Sequence, residues 1–328
     1  MRALRRSATI FTALLIALVV LGSCGGTGPA TTPAQSTAPA TTPAQSVAPA
    51  PHYPLTVTDD RGKTITMRLA PARVVSLAPS ATEIVFALGA QDRLVAVDDY
   101  SDHPAEAKAL PKLGGFRTSP ERILAYRPDL IFAISSGDLA EQLDQRGQPV
   151  VVFDPNDLEG VYANIGLIGT LLDREEAARA LVDRMRARIA AVALKAGGAT
   201  TRPRVLHEVD STDPARVYVA GPRNFIDSII TLVGGQNVGA SAPTKFPRFS
   251  PEEIVRSDPQ VIVLGDARYG ATPAVVAARP GYAVIDAVRN GRVLPIDEDI
   301  VSRPGPRLAD GVEAYARLVH PEIFGRGP

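Results

Sequence analysis

The sequence predicts an α/β protein built as two similar α/β lobes joined by one long backbone helix, with a ligand cleft between them. Two observations carry this. Ser119-Pro120-Glu121-Arg122-Ile123, with Pro128 and the apolar run Leu130–Phe132, returns 131 residues later as Ser250-Pro251-Glu252-Glu253-Ile254, with Pro259 and Val261–Val263. The second observation is a helical pattern through residues 158–196, broken only near Leu172-Asp173-Arg174. Its later part puts Ala178, Leu181, Val182, Met185, Ile189 and Val192 on one stripe, with Glu175 and Arg179 as an i,i+4 pair on the other side. About 23 residues at 1.5 Å each give a rod of roughly 34 Å, enough to pass from one lobe to the other and to keep lobe closure small.

Each copy of the repeat has the same physical reading. Serine at the N-cap accepts from an orphan helix N–H, and proline at the first helical position has no N–H to lose. The second proline stops the helix, and a short apolar run then reads as a buried parallel strand. The repeat places an acid, Glu121 and Glu252, at the same point of each lobe.

Residues 1–23 read as a lipoprotein signal peptide. Arg2, Arg5 and Arg6 precede an apolar core, Ile10–Leu21, that is short for a bilayer span. Cys24, the only cysteine, follows Leu21-Gly22-Ser23 and is the expected site of lipidation. Losing those three arginines takes the chain from formal net zero to −3. Residues 24–52 read as a tether. They contain the near-perfect decamers TTPAQSTAPA and TTPAQSVAPA, with no apolar face to bury, and can reach on the order of 80 Å.

Three folded segments follow, at 53–172 (N-terminal lobe), 173–198 (backbone helix) and 199–328 (C-terminal lobe). In the first, Leu55–Met67 alternates around Asp59-Asp60-Arg61-Gly62 as a hairpin. Val74–Leu77 is a buried strand, and Ser80-Ala81-Thr82-Glu83 reads as a capping box opening a helix that Gly89 ends. A strand at 94–97, a loop at 98–117 with a short helix near 105–110, a helix at 138–146 and a strand at 150–153 complete it. The second lobe reads as strands at 204–209 and 217–219, a helix from Asn224 to Val233, a strand at 261–264, helices near 273–278 and 283–288, a strand at 293–296, and a last helix from Pro306 to Val319. Gly234-Gly235-Gln236-Asn237 echoes Gly89-Ala90-Gln91 from the first lobe.

With 45% hydrophobic and 21% charged residues the chain is globular, and its zero net charge suggests no nucleic-acid partner. The serine-hydrolase elbow, the phosphate-binding glycine loops and the H-E-x-x-H zinc motif are all absent. His52, His103, His207 and His320 are scattered, although His103 and His207 fall on segments that can reach the cleft and are the only seed for an enzyme. Asp98-Asp99 and Asp297-Glu298-Asp299 read as turn and cap residues. Ligands of α/β lobes bind beyond the carboxyl ends of the strands. The candidate lining there is Pro79, Ser80, Tyr100, Phe116, Arg117 and Ser135 from the first lobe, with Glu208, Tyr218, Phe246, Arg248, Tyr269 and Arg303 from the second. Aromatic rings suit a broad ligand and arginines pair with carboxylates, phosphates or polarised amides.

Arg73-Val74-Val75-Ser76-Leu77-Ala78-Pro79-Ser80-Ala81-Thr82-Glu83, Tyr100-Ser101-Asp102-His103-Pro104, the Ser-Pro-Glu unit and Gly234-Gly235-Gln236-Asn237 resemble the helical-backbone (class III) periplasmic substrate-binding proteins of ABC importers. The resemblance covers about residues 53–324. It implies a binding protein rather than an enzyme, with no resident cofactor and a metal chelate (cobalamin, haem or a ferric siderophore) as its ligand. It also implies a monomer held to the membrane by its lipid, partnered by a permease dimer with a cytoplasmic ATPase. In the family one acid on each lobe docks onto permease arginines, and the matching positions are Glu121 and Glu252. The Tyr-Ser-Asp-His-Pro loop is similar to that of cobalamin-binding members, which implies a corrinoid in contact with Tyr100, Phe116 and Phe246; the alternative is a ferric siderophore or haem. Those members use several tryptophans, and this chain has none. A sensor or adhesin on the same scaffold is a third reading.

Overall fold

Short strands buried on both faces build two sheets here, and a layer of helices fills the space between them. The computed structural model describes residues 53–115, 118–134 and 137–325; the expected signal peptide and tether, with Cys24, lie outside them. The first lobe runs β1 (Leu55–Thr58), β2 (Thr64–Met67), β3 (Val74–Leu77), α1 (Pro79–Ala87), β4 (Leu94–Val97), α2 (Pro120–Leu124), β5 (Leu130–Ile134), α3 (Leu139–Gln145), β6 (Val150–Phe153) and α4 (Leu158–Leu171). Helix α5 (Glu175–Ala196) leads to the second lobe, which opens with β7 (Arg204–Asp210), β8 (Val217–Val219), α6 (Phe225–Leu232), β9 (Gln236–Asn237) and β10 (Arg248–Phe249). It continues with α7 (Pro251–Ser257), β11 (Val261–Leu264), α8 (Pro273–Ala277), α9 (Asp286–Arg289), β12 (Val293–Pro295), α10 (Glu298–Val301), α11 (Leu308–Val319) and α12 (Pro321–Phe324).

The first sheet is wholly parallel, in the order β4-β3-β5-β6. The second runs β10-β8-β7-β11-β12, with β9 beside the start of β7, and its β8 and β10 are antiparallel. The β1–β2 hairpin is a separate antiparallel pair. Buried Asp59 ties its turn together by accepting from the backbone of Arg61 and Lys63, and pins it to β6 by accepting from Val152 N at 3.1 Å.

Both copies of the repeat cap as their serines predict. Ser119 accepts from Arg122 N, and Ser250 accepts from Glu253 N while Glu253 accepts from Ser250 N at 2.7 Å. Glu253 therefore fills the capping box and leaves Glu252 spare. The symmetry extends further. The residue before each second proline, Arg127 (φ 46°) and Asp258 (φ 40°), is left-handed, a conformation that costs about 1 kcal/mol or more outside glycine. An arginine 54 positions earlier holds each turn closed: Arg73 donates to the carbonyls of Tyr126 and Arg127, and Arg204 to those of Ser257 and Asp258.

The expected capping box at Ser80 does not form. Helix α1 starts two residues sooner, at Pro79, with Ala78 as an N-cap that makes no side-chain bond. Proline at the first helical position fixes the start, which frees Glu83 for a different partner.

On α5 the buried residues are Ala178, Leu181, Met185, Ile189, Val192 and Ala196. Each of its larger apolar side chains contributes about 2 kcal/mol on burial. The junction is broader than a single rod. Helices α4 and α11 flank α5, α6 touches both, and one continuous core runs from Val74 and Phe132 of the first sheet through these helices to Val205 and Val263 of the second. The alternate residues of the strands feed two outer cores, around Val75, Ile131 and Val152 and around Leu206, Ile262 and Leu264. The short α10 and α12 and the small strands β9 and β10 carry too few residues for a readable period.

Candidate functional site

Parallel strands place their carboxyl ends, and the loops that leave them, along one edge of each sheet. These edges enclose a cavity of about 460 Å³. The first lobe contributes Leu77 at the end of β3, Pro79 and Ser80 at the start of α1, Asp98 and Tyr100 after β4, and Ala133 and Ile134 from β5. The second contributes Arg268 and Tyr269 after β11, then Glu298, Asp299, Ser302 and Arg303 around α10.

Five of the residues expected from sequence, Pro79, Ser80, Tyr100, Tyr269 and Arg303, meet here. Phe116, Arg117 and Ser135 lie outside the described residues. The remaining four are not among the lining residues. Glu208 is fully buried and held by Arg279 through bonds of 2.6 and 3.1 Å; burial pushes its pKa up, against the pull of Arg279. Its position on β7 suggested the cleft, but its side chain turns into the lobe. Arg248 stacks over the Tyr218 ring at 4.4 Å, and the two close on each other at the β8–β10 edge. Phe246 is partly exposed beside Lys245, whose Nζ reaches Asp154 at 2.9 Å and so ties the lobes at that point.

His207 is also corrected. It is wholly buried on β7, with Nδ1 3.0 Å from the Tyr315 hydroxyl, and burial pushes its pKa down to about 4. It cannot share a cleft site with the exposed His103. Among the described residues no group of three His, Cys, Asp or Glu is placed to hold a metal ion.

Electrostatics in the cavity are dominated by ion pairs already made. Arg303 contacts Glu83 at 3.3 Å, Asp102 at 2.8 Å and Asp299 at 2.8 Å, while Arg307 grips Glu83 at 2.7 and 2.9 Å. Arg268 reaches Asp299 at 2.8 Å. Burial opposes ionisation of Asp102, but the hydrogen bond and charge of Arg303, with its own backbone N–H and the charge of Lys108, together hold it below its ordinary pKa. Burial raises the pKa of Asp98 and of Glu298. Sequence reasoning missed Leu77, Asp98, Ile134, Arg268, Glu298 and Asp299. The acidic triplet carried the signal for two of them. Asp297 does cap α10, accepting from Asp299 N at 3.0 Å, while its two neighbours face the ligand space.

A two-lobed sheet–helix–sheet protein with its cavity between strand ends matches one family: residues 74–300 fit the periplasmic binding protein family. The chain belongs to that family. It is 30% identical over 327 residues to the uncharacterized ABC transporter substrate-binding lipoprotein YvrC of Bacillus subtilis, covering 98% of this chain and 99% of that one. It is 31% identical over 254 residues to the vitamin B12-binding protein of Vibrio parahaemolyticus, covering 76% and 90%. Among solved structures, the ABC-type Fe3+-hydroxamate transport system protein of Saccharomonospora viridis superposes with a TM-score of 0.71 at 27% identity, covering 84% of this chain and all of that one.

The chain is thus a substrate-binding protein of an ABC transporter, from the group that handles vitamin B12, haem and siderophores, and the family is one of solute binders. Among the described residues no helix is long and apolar enough to cross a membrane. The two acids set by the repeat, Glu121 and Glu252, are both exposed in the first turns of α2 and α7. Arg146 lies 3.1 Å from Glu121, an exposed pair that restrains it weakly.

Proposed function

We propose that this protein, anchored through a lipid on Cys24 outside the cytoplasm, captures a corrinoid in the cavity and delivers it to an ABC permease through Glu121 and Glu252. The observation that carries the corrinoid reading is the state of the two described arginines in the lining. Arg268 and Arg303 are both committed to carboxylates. With Asp98 and Glu298 beside them, the described wall offers no spare cation to a haem propionate or an acidic siderophore. It offers tyrosine faces and polar groups that suit a broad macrocycle fringed with neutral amides.

Calorimetric titration of the full chain with cyanocobalamin tests this reading. One-to-one binding with Kd below about 1 μM supports it. No binding of cyanocobalamin, with saturable binding of haem or a ferric hydroxamate, transfers the site to the second reading, which the Saccharomonospora superposition favours, and leaves the transport role standing.

A further inference from the structure

Behind the first-lobe wall of the cavity, four polar side chains form one buried line. Ser76, on β3, donates its hydroxyl proton to the Ala78 carbonyl at 3.0 Å. Thr82 Oγ1, on α1, lies 2.9 Å from Ser76 Oγ and 2.8 Å from Ser101 Oγ. Ser101 Oγ lies 3.1 Å from Asp98 Oδ2. The other carboxyl oxygen, Oδ1, is already occupied by the N–H groups of Tyr100 at 2.6 Å and Ser101 at 2.9 Å. All four side chains belong to buried residues.

The protons can be counted. Ser76 must give its only proton to Ala78, because a carbonyl has none. Thr82 must then serve Ser76. With Asp98 ionised, Ser101 gives its proton to the carboxylate, and the 2.8 Å contact between Thr82 and Ser101 sets lone pair against lone pair. With a proton on Asp98 Oδ2, the carboxyl donates to Ser101, Ser101 donates to Thr82, and every contact in the line has its proton.

We propose that Asp98 keeps a proton on Oδ2 well above the pH at which a free aspartic acid loses it. It acts thereby as a positioning residue that locks β3 and the start of α1 to the loop after β4 as one wall of the ligand cavity. The start of α1 supplies Pro79 and Ser80 to the lining and the loop supplies Tyr100. The surroundings agree with a retained proton. Burial raises the Asp98 pKa against its N–H donors, the Ser101 hydroxyl and Lys112. Lys112 spends its ammonium on the carbonyls of Ser101 and Ala107. On α1, Glu83 is neutralised by Arg303 and Arg307. Asp99 beside it accepts from Gly114 N. Across the cavity stand Tyr269, Glu298 and Asp299, with Arg268 paired to Asp299. The inference holds whichever ligand fills the cavity.

Two measurements on the full chain test it. Carboxyl carbon NMR, with Asp98 assigned through its own backbone, follows the titration directly. The expected midpoint is at least about one unit above the ordinary aspartate value of roughly 3.9. Thermal unfolding of Asp98→Asn is the second, since the amide can donate to Ser101 while its oxygen keeps the two N–H bonds. A group protonated longer in the folded state loses its stabilisation as pH rises through the folded pKa. The wild-type midpoint should therefore fall relative to the variant by about 2 °C or more between roughly pH 4 and pH 7. An Asp98 resonance titrating at the ordinary value, or a variant less stable by the same amount at every pH, overturns the proposal. If the variant does not fold, the wild-type titration alone decides.

Discussion

Arg307 and Glu83 meet across the lobe boundary in a two-point contact, Nε to Oε2 at 2.9 Å and Nη2 to Oε1 at 2.7 Å. Glu83 is 3% exposed and takes a second guanidinium from Arg303. Glu→Gln here leaves two partly buried arginines facing a neutral amide. Breaking a buried pair in this way costs about 3 kcal/mol. The exposed pair Glu159–Arg186 is the control, because solvent screening leaves such a pair worth under about 1 kcal/mol. Denaturant unfolding of Glu83→Gln and Glu159→Gln should separate the two by that margin, and equal midpoints would refute the clasp.

His207 gives the fold an acid limit. Its folded pKa of about 4 lies below the ordinary imidazole value of about 6.5, because burial disfavours the imidazolium. The neutral form is thus favoured in the folded state. The stability this provides is complete above the unfolded pKa and is lost as pH falls from about 6.5 towards 4. A shift of that size corresponds to about 3 kcal/mol. His207→Phe keeps a ring beside Tyr315 but cannot titrate. Its thermal midpoint should decline less than that of the wild type over this interval, and parallel declines would remove His207 from the account.

Tyr100 rests against Gly115, where an added Cβ would sit 2.9 Å from the ring's Cε2. The obstacle is the far end of a side chain, so the ring can move. Gly115→Ala should change ligand affinity without a large loss of stability. Tyr269→Ala, at a residue 67% exposed, should weaken ligand binding about tenfold, the scale of a removed aromatic contact, and leave unfolding unchanged. Calorimetry beside thermal melts would check both, and unchanged affinity in the pair would move the ligand elsewhere.

Fold legibility followed from periodicity. The Ser-Pro-Glu units, the strands of four or five apolar residues and the α5 stripe all report local rules that tertiary contacts did not override. The equivalence of Arg73 and Arg204 was present in the sequence too, but an arginine before an apolar strand has no distinctive pattern until its carbonyl partners are placed. The site was harder to read because position after a strand does not say which way a side chain points. Tyr100 and Tyr269 turn outward into the cleft, whereas Glu208 and His207, on β7 itself, turn inward to Arg279 and Tyr315. Glu83 was misassigned for a related reason. Its spacing from Ser80 fits a capping box, but Pro79 moves the helix start, and the partners that claim it lie more than 200 residues away.

Glu121 and Glu252 share a position in the repeat, and both are exposed there. Ser119 caps α2 by accepting from Arg122 N, its hydroxyl also donating to the Glu121 carboxylate, and Glu253 completes the box on α7 in place of Glu252. Either acid still complements its helix dipole, a contribution of about 0.5 kcal/mol. Exposed charges retained at two equivalent sites suit contacts with arginines of a partner. Reversal of both, Glu121→Lys with Glu252→Lys, should cut ligand uptake by cells at least about tenfold through lost and repelled charged contacts. Ligand affinity of the isolated protein should be unchanged, because neither residue lines the cavity. Uptake assays paired with calorimetry distinguish the cases. Normal uptake would place permease docking on another surface, and a matching loss of affinity would mean that the acids act through the binding site.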